Sequence, residues 1–241
     1  MGAADFYTGI VTDVYGALRG TVFDADRYVA FVRQVGQPAL ELGCGDDGPF
    51  FELSRQGIDI EGVDSSADML HRAQDGADAE NLRIVTHCQP MEALELPRKY
   101  RAIYLAGPTF NLLPDDETAQ QALHRIAAHL LPGGQVMVPL WIPPATPPQD
   151  FGQTKEARTI DGSTARYTIE SESYDQTMRT RQTHTRYELI RHDIHEQIRR
   201  DWVIHWHTPD SFATLASMAG LEVCKTTPIV NGEYTVYLQL H

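Results

Sequence analysis

Apolar positions recur along the chain in two rhythms. Up to about residue 140, short apolar runs that read as buried strands alternate with stretches whose apolar residues fall every three to four positions, the period of one helix face. Tyr28 to Val35 (YVAFVRQV) reads as the end of a helix, and Ala39-Leu40-Glu41-Leu42-Gly43 as a strand running into a glycine turn. Phe50, Phe51 and Leu53 give the next helical face, which stops at Gly57. Ile58 to Val63 is a second strand ending on Asp64, after which Ser65 or Ser66 caps a helix carrying Met69, Leu70 and Ala73. Leu82 to Cys88 is a third strand and Arg101 to Ala106 a fourth. A Gly-Pro-Thr-Phe-Asn loop then leads to a helix with Ala119, Ala122, Leu123, Ile126 and Leu130 on one side, stopped by Pro132-Gly133-Gly134 before a fifth strand, Gln135 to Leu140. Strand and helix in alternation predict a parallel sheet covered by helices on both faces and joined by right-handed crossovers.

The rhythm breaks at Trp141-Ile142-Pro143-Pro144-Ala145-Thr146-Pro147-Pro148, where four prolines exclude both helix and central strand. Beyond it the pattern is that of β-strands: Ala165 to Glu170, Thr183 to Ile190 and Gln197 to Trp206, with turns at Asp161-Gly162 and around Asp175. Thr208-Pro209-Asp210 caps a short helix ending at Gly220, and Leu221 to Lys225 and Tyr234 to Leu240 are two last strands. The expected class is α/β: a Rossmann-like parallel-sheet core over residues 1–140, an antiparallel β insertion at 150–207 forming a lid, and 208–241 completing the core sheet.

Composition narrows the partners. The chain has 241 residues, 42% hydrophobic and 22% charged, with a formal net charge of −13. Residues 1–150 hold 10 basic against 21 acidic side chains, and residues 151–241 hold 10 against 12. Such a surface repels polyanions, so no nucleic-acid partner is expected, and most of the acidity serves solubility. No apolar run reaches the roughly 20 residues that cross a bilayer, and the opening residues carry acidic side chains and no basic leader, which predicts a cytoplasmic protein without membrane contact. Cys44, Cys88 and Cys224 are scattered and form no C-x-x-C pair, so neither a disulfide framework nor a zinc site is expected. A monomer or homodimer is expected.

Glu41-Leu42-Gly43-Cys44-Gly45-Asp46-Asp47-Gly48 lies between a strand and a helix, where glycines let the backbone approach a ligand and helix N–H groups face it. Asp64 follows Gly43 at the end of the next strand, placed for a carboxylate to take both hydroxyls of a ribose. Together they describe an adenosine site at the carboxyl edge of a parallel sheet. The E-L-G-C-G run resembles the first motif, E/D-x-G-x-G-x-G, of the class I methyltransferases that use S-adenosylmethionine (SAM). Gly62-Val63-Asp64-Ser65-Ser66-Ala67-Asp68-Met69-Leu70 is similar to their G-x-D-x-S-x-x-M-L segment, Leu131-Pro132-Gly133-Gly134 to their L-x-P-G-G, and Met218-Ala219-Gly220-Leu221 to their A-G-F/L.

That resemblance implies SAM as cofactor. It places Gly43 and Gly45 under the methionine part, Glu41 near its amino group, Asp64 and Ser65 at the ribose, and Met69 on the adenine. Gln89 and Met91 would lie in the loop after strand three, and Ala106 after strand four. Two positions depart from the family pattern: Pro90 stands where an Asp usually meets the adenine amino group, leaving Gln89 as substitute, and Asp47 stands where a third glycine is usual. Within the family the chain is similar to small-molecule members such as the sugar N,N-dimethyltransferases of antibiotic pathways. They share an N-terminal tyrosine-bearing segment (Tyr7 and Tyr15 here), an aromatic-proline stretch after strand five, and an antiparallel sheet before the last helix. Their histidine in the loop after strand four is replaced by Leu112, so their amine mechanism does not transfer.

The resemblance implies transfer of a methyl group to an O or N atom of a small-molecule acceptor. Because SAM's sulfonium already activates the methyl group, alignment and exclusion of water are the main demands, with a base needed only for a protonated nucleophile. Thr109, Asn111, Trp141 and Trp206 are the expected substrate wall, and His205, His207 and Tyr15 the expected catalytic groups. Strand alternation puts His205 and His207 on one face, as two metal ligands would be, but no third ligand lies near them in sequence and no metal is expected. Two other readings stay open: a SAM-binding sensor or pseudo-enzyme, motivated by Pro90, Asp47 and Leu112, and a nucleotide-dependent oxidoreductase, whose third glycine is missing.

Overall fold

The computed structural model describes residues 6–19, 24–192 and 194–241; the first five residues, part of the stretch read for a leader, lie outside it. Helices α1 (Ile10–Arg19) and α2 (Asp26–Val35) precede β1 (Ala39–Leu42), α3 (Pro49–Arg55), β2 (Ile60–Asp64), α4 (Ala67–Ala79), β3 (Thr86–Cys88) and β4 (Tyr100–Leu105). A 3₁₀ turn over Thr109–Leu112 leads to α5 (Asp116–His129) and β5 (Leu130–Trp141). After the proline stretch come β6 (Thr154–Arg158), β7 (Thr164–Asp175), β8 (Thr180–Arg191) and β9 (Ile194–His205), then α6 (Pro209–Met218), β10 (Leu221–Thr226) and β11 (Glu233–Leu240).

Seven strands form one sheet in the order β10-β11-β5-β4-β1-β2-β3, and β6 to β9 form a second sheet in chain order. In the first, β1, β2, β3, β4 and β5 run parallel while β11 lies antiparallel between β5 and β10. The fold is therefore α/β, a Rossmann-like sheet with a separate antiparallel sheet. Strand β1 is buried along its whole length and reads as a continuous apolar run interrupted only by Glu41. One face of the sheet packs Leu42, Leu105, Phe110, Ile126 and Phe212, and the other packs Tyr28, Phe50, Leu53, Ala73 and Tyr104. Each large side chain buried this way stabilises the fold by about 1.5–3 kcal/mol. Among the described residues no helix is long and apolar enough to cross a membrane.

Several elements differ from the sequence reading for physical reasons. Strand β3 is confined to Thr86–Cys88; before it Leu82 N donates back to the Ala77 carbonyl at 2.8 Å, and the Val85 carbonyl accepts from Gly62 N at 2.9 Å. The β5 ladder begins at Leu130, through the Pro-Gly-Gly that reads as a stop. Gly134 permits this, since a Cβ there would sit 2.6 Å from the Arg101 carbonyl oxygen. Strand β6 has no counterpart in the reading: its side chains are mostly exposed, so burial left no alternation to detect. Helix α1 packs Val11 and Val14 with Phe6, which precedes it, against Ala165, Tyr187 and Leu189 of the antiparallel sheet rather than against the parallel one.

Candidate functional site

At the carboxyl ends of β1 and β2 lies a cavity of about 410 Å³. Its floor is the β1–α3 loop. Gly43 N and Cys44 N both donate to the Val63 carbonyl, at 2.7 and 3.0 Å, and Gly45 N donates to Asp64 Oδ2 at 2.9 Å. Gly43 and Gly45 have φ of 71° and 61°, a conformation that side chains resist, so two glycines are what let the loop turn back on β2. Asp64 Oδ1 accepts from Ser66 N at 2.8 Å, and Ser66 Oγ caps α4 by accepting from Met69 N at 3.2 Å. Asp64 is thus fixed by backbone amides on both oxygens; burial raises its carboxyl and those amides lower it, with burial the larger effect.

Glu41 is the one acidic side chain in the middle of β1. It is fully buried; Tyr104 Oη donates to its Oε2 at 2.6 Å and the Phe50 backbone amide faces the carboxyl, while Oε1 makes no hydrogen bond to any of the described residues. Burial pushes its carboxyl well above the usual range. An unpartnered carboxylate oxygen at the wall of a cavity is a place for a cationic ligand group, because a cation there supplies what burial took away.

Tyr7 and Tyr15 close the cavity from the N-terminal side, their rings meeting edge to face at 5.0 Å. The Tyr7 carbonyl accepts from Ser66 Oγ at 2.5 Å and Gly9 N donates to Asp68 Oδ2 at 2.8 Å, which ties this segment to α4. Burial raises both phenols, so they stay protonated at neutral pH and act as donors, not bases. Arg19 bridges Asp46 and Asp47 at 3.0 and 2.8 Å, Arg72 joins Asp46 to Asp13 at 2.9 and 2.6 Å, and Arg191 of β8 reaches Asp13 at 2.7 Å.

The remaining expected residues divide into two groups. Ser65, Met69, Gln89, Met91, Ala106 and Thr109 line the same cavity as Glu41, Gly43, Gly45 and Asp64. The Gln89 amide also spans the following turn, donating to the Glu95 carbonyl at 3.1 Å and accepting from Glu95 N at 2.8 Å. Asn111, Trp141, Trp206, His205 and His207 do not line it. Asn111 is buried and spends its amide on backbone: Nδ2 donates to the carbonyls of Trp141 and His205, at 2.8 and 3.2 Å, and Oδ1 accepts from Trp141 N at 3.2 Å. Arg181 sits 4.9 Å above the Trp141 ring, and Trp206 stacks on Tyr174 at 5.0 Å. His207 packs against Phe110 and Phe212, and burial pushes it down to about 3, so it stays neutral. The lining also holds Arg19, Glu92, Leu112, Leu113, Pro114 and Thr118, none of which the sequence pattern singled out as site residues. Nothing in the sequence marks Arg19, Glu92 or Thr118, because only the fold brings Arg19 to Asp46 and Asp47.

Compared with known proteins, residues 39–134 match the family model of the methyltransferase domain. The chain is 30% identical over 146 residues, 57% of its length and 56% of the relative's, to dTDP-3-amino-3,6-dideoxy-alpha-D-glucopyranose N,N-dimethyltransferase of Streptomyces fradiae. It thus spans little more than half the length of that curated relative, and 38% of a second, from Geobacillus. A SAM-dependent methyltransferase structure from Clostridium acetobutylicum ATCC 824 superposes with TM-score 0.75 at 13% identity, over 95% of this chain and 97% of that one. The SAM-bound amino pentose methyltransferase CalS10 from Micromonospora echinaspora superposes with TM-score 0.66 at 18% identity, over 96% and 97%. Residues 39–134 thus resemble a methyltransferase domain, in a chain whose α/β, Rossmann-like fold is the one these superposed structures share.

Proposed function

We propose that this chain is a SAM-dependent methyltransferase that moves a methyl group to a nitrogen, or secondarily an oxygen, of a small-molecule acceptor. The observation that carries this reading is the cavity itself: a left-handed glycine loop, an amide-fixed Asp64 and a buried Glu41 with a bare oxygen converge on one space at the sheet's carboxyl edge. SAM, when bound, supplies a methyl group already activated by its sulfonium. Gly43 and Gly45 would pass beneath it, Glu41 would take its ammonium group, Asp64 its ribose hydroxyls with Ser65 beside them, and Met69, Gln89 and Met91 its adenine side. Tyr7, Tyr15 and Ala106 would close water out around the methyl group. Residues 1–140 and 208–241 would then form the cofactor core, except that α1 (Ile10–Arg19) packs on the 150–207 unit, the lid over the acceptor.

Nitrogen is favoured by what lines the acceptor side. Among the described residues no histidine or lysine lies on the cavity wall, both tyrosine phenols are held protonated, and Asp47 is paired to Arg19. A neutral amine attacks without first losing a proton, whereas a hydroxyl needs a base, and of the carboxyls on this lining only Glu92 is outside the roles given to Glu41 and Asp64 and the Asp47–Arg19 pair. The relative from Streptomyces fradiae, an N,N-dimethyltransferase of an amino sugar nucleotide, supports the same class.

Calorimetric titration with SAM and with its demethylated product tests the cofactor. Both should bind at micromolar concentration, and Asp64→Ala should weaken each roughly ten- to a hundredfold by removing charge-assisted bonds of about 1.5–3 kcal/mol. Absence of binding by either ligand removes the reading. Methyl transfer to amino sugars, followed by mass spectrometry, separates an enzyme from a SAM-binding sensor: cofactor binding with no acceptor methylated in a metabolite mixture favours the sensor.

A further inference from the structure

A second cluster of chemistry-bearing side chains lies outside the cavity, where the antiparallel sheet ends and α5 begins. His207 is fully buried, and among the described residues neither its Nδ1 nor its Nε2 has a hydrogen-bond partner; His205, also buried, meets Asp116 through Nε2 and leaves Nδ1 bare. Buried ring nitrogens without partners are rare in native proteins and ask for an explanation. The two rings meet edge to face at 4.9 Å. Asp116, the first residue of α5, turns Oδ1 toward both, 2.9 Å from His205 Nε2 and 3.6 Å from His207 Nδ1. One ligand atom from each residue lies within 4.8 Å of the others. Around an ion with ligands at about 2.0–2.1 Å in tetrahedral array, ligand atoms stand roughly 3.3 Å apart, and the two distances to Asp116 bracket that spacing.

We propose that Asp116 Oδ1, His205 Nε2 and His207 Nδ1 bind one divalent transition-metal ion of the zinc, cobalt or nickel class. The fourth position opens past Asp116, whose side chain is 47% exposed while the two histidines are enclosed. Two imidazoles and one carboxylate suit borderline ions rather than magnesium or calcium. Asp116 Oδ2 accepts from Arg179, which orients the carboxylate as outer partners of metal ligands do. Arg179 and the positive N-terminus of α5 also oppose an added cation, so imidazole lone pairs rather than net charge must hold it. The ion would fasten α5 to the end of β9 and to the segment leading into α6, a junction where Asn111 already bonds the His205 carbonyl. Its role there is structural, since none of the three ligands lines the cavity.

The test uses the full chain stripped with a chelator and titrated with cobalt(II). One equivalent should bind, with visible d–d absorption of a low-coordinate nitrogen–oxygen site, displaced by zinc(II), and zinc(II) should raise the melting temperature by roughly 5 °C or more at saturation. His207→Gln and Asp116→Asn should each weaken cobalt binding at least tenfold. Magnesium should leave the melting temperature unchanged. Cobalt affinity equal to wild type in both His207→Gln and Asp116→Asn overturns the proposal, as does the absence of stoichiometric binding. Should the variants fail to fold, imidazole ¹⁵N resonances of the wild type decide: shifts of His205 and His207 on adding zinc(II) sustain the site, and shifts confined to other histidines refute it.

Discussion

Glu41 shows how a single residue trades stability for a site. Its carboxyl titrates higher in the folded chain than in the unfolded one because burial disfavours the charged form. The native state therefore binds the proton more tightly, and stability falls as pH rises from the ordinary carboxylate range through the raised folded value. Glu41→Gln should consequently melt higher than wild type at pH 7–8, with the advantage vanishing near pH 4, while its affinity for SAM drops roughly tenfold or more through loss of a charge-assisted contact. Thermal melts across pH beside cofactor titrations check both signs; a variant less stable at pH 8 would show that the carboxylate is already compensated. Gly43 is constrained differently. A Cβ there would lie 2.4 Å from Thr109 Cγ2, at a φ of 71°. Gly43→Ala should cost at least the 1–2 kcal/mol of a left-handed non-glycine residue, and Thr109→Ser, by deleting the clashing methyl, should restore part of the lost cofactor affinity.

At the scale of elements, legibility followed burial. The strands β1, β2 and β4 and the helices α4 and α5 announced themselves because each hides an apolar face, and the glycine loop with Asp64 was readable because one motif sits at the end of each of two neighbouring strands. Strand β6 and the 3₁₀ turn at Thr109–Leu112 bury little or follow no period, and they escaped. The His205-His207 pair was legible as two residues on one face, whereas its third member, Asp116, stands 89 positions away from His205 and only the fold brings it there. Likewise nothing local marks Asp13 as the hub between Arg72 of α4 and Arg191 of β8. These pairs are partly exposed, so each is worth about 0.2–1 kcal/mol and is screened by salt. Asp13→Asn should lower the melting temperature by a few degrees at low ionic strength, a deficit that shrinks in 1 M NaCl; a deficit unchanged by salt would assign the loss to packing.

For the molecule as a whole, the position of α1 sets how the two sheets communicate. Its apolar face packs on β7 and β8, while polar contacts of the helix and of Gly9 just before it, Gly9 to Asp68, Arg19 to Asp46 and Asp47, and Asp13 to Arg72, reach the glycine loop and α4 of the other unit. The antiparallel sheet and α1 share an apolar cluster, and near the cavity charged and hydrogen-bonded contacts that water can replace join them to the parallel-sheet core, so any local opening there should move them together. A ligand that fills the cavity touches both sides at once, Asp64 and Gly45 below and Tyr7 and Tyr15 above. Binding SAM should therefore slow amide hydrogen exchange in residues 10–19 and in β7 and β8 together with the 43–48 loop. Breaking the bridge with Arg19→Ala should leave the loop's protection largely intact while α1 and its sheet lose theirs. Protection confined to the loop in the wild-type chain would mean that the antiparallel unit moves independently of cofactor, and closure would then have to await the acceptor.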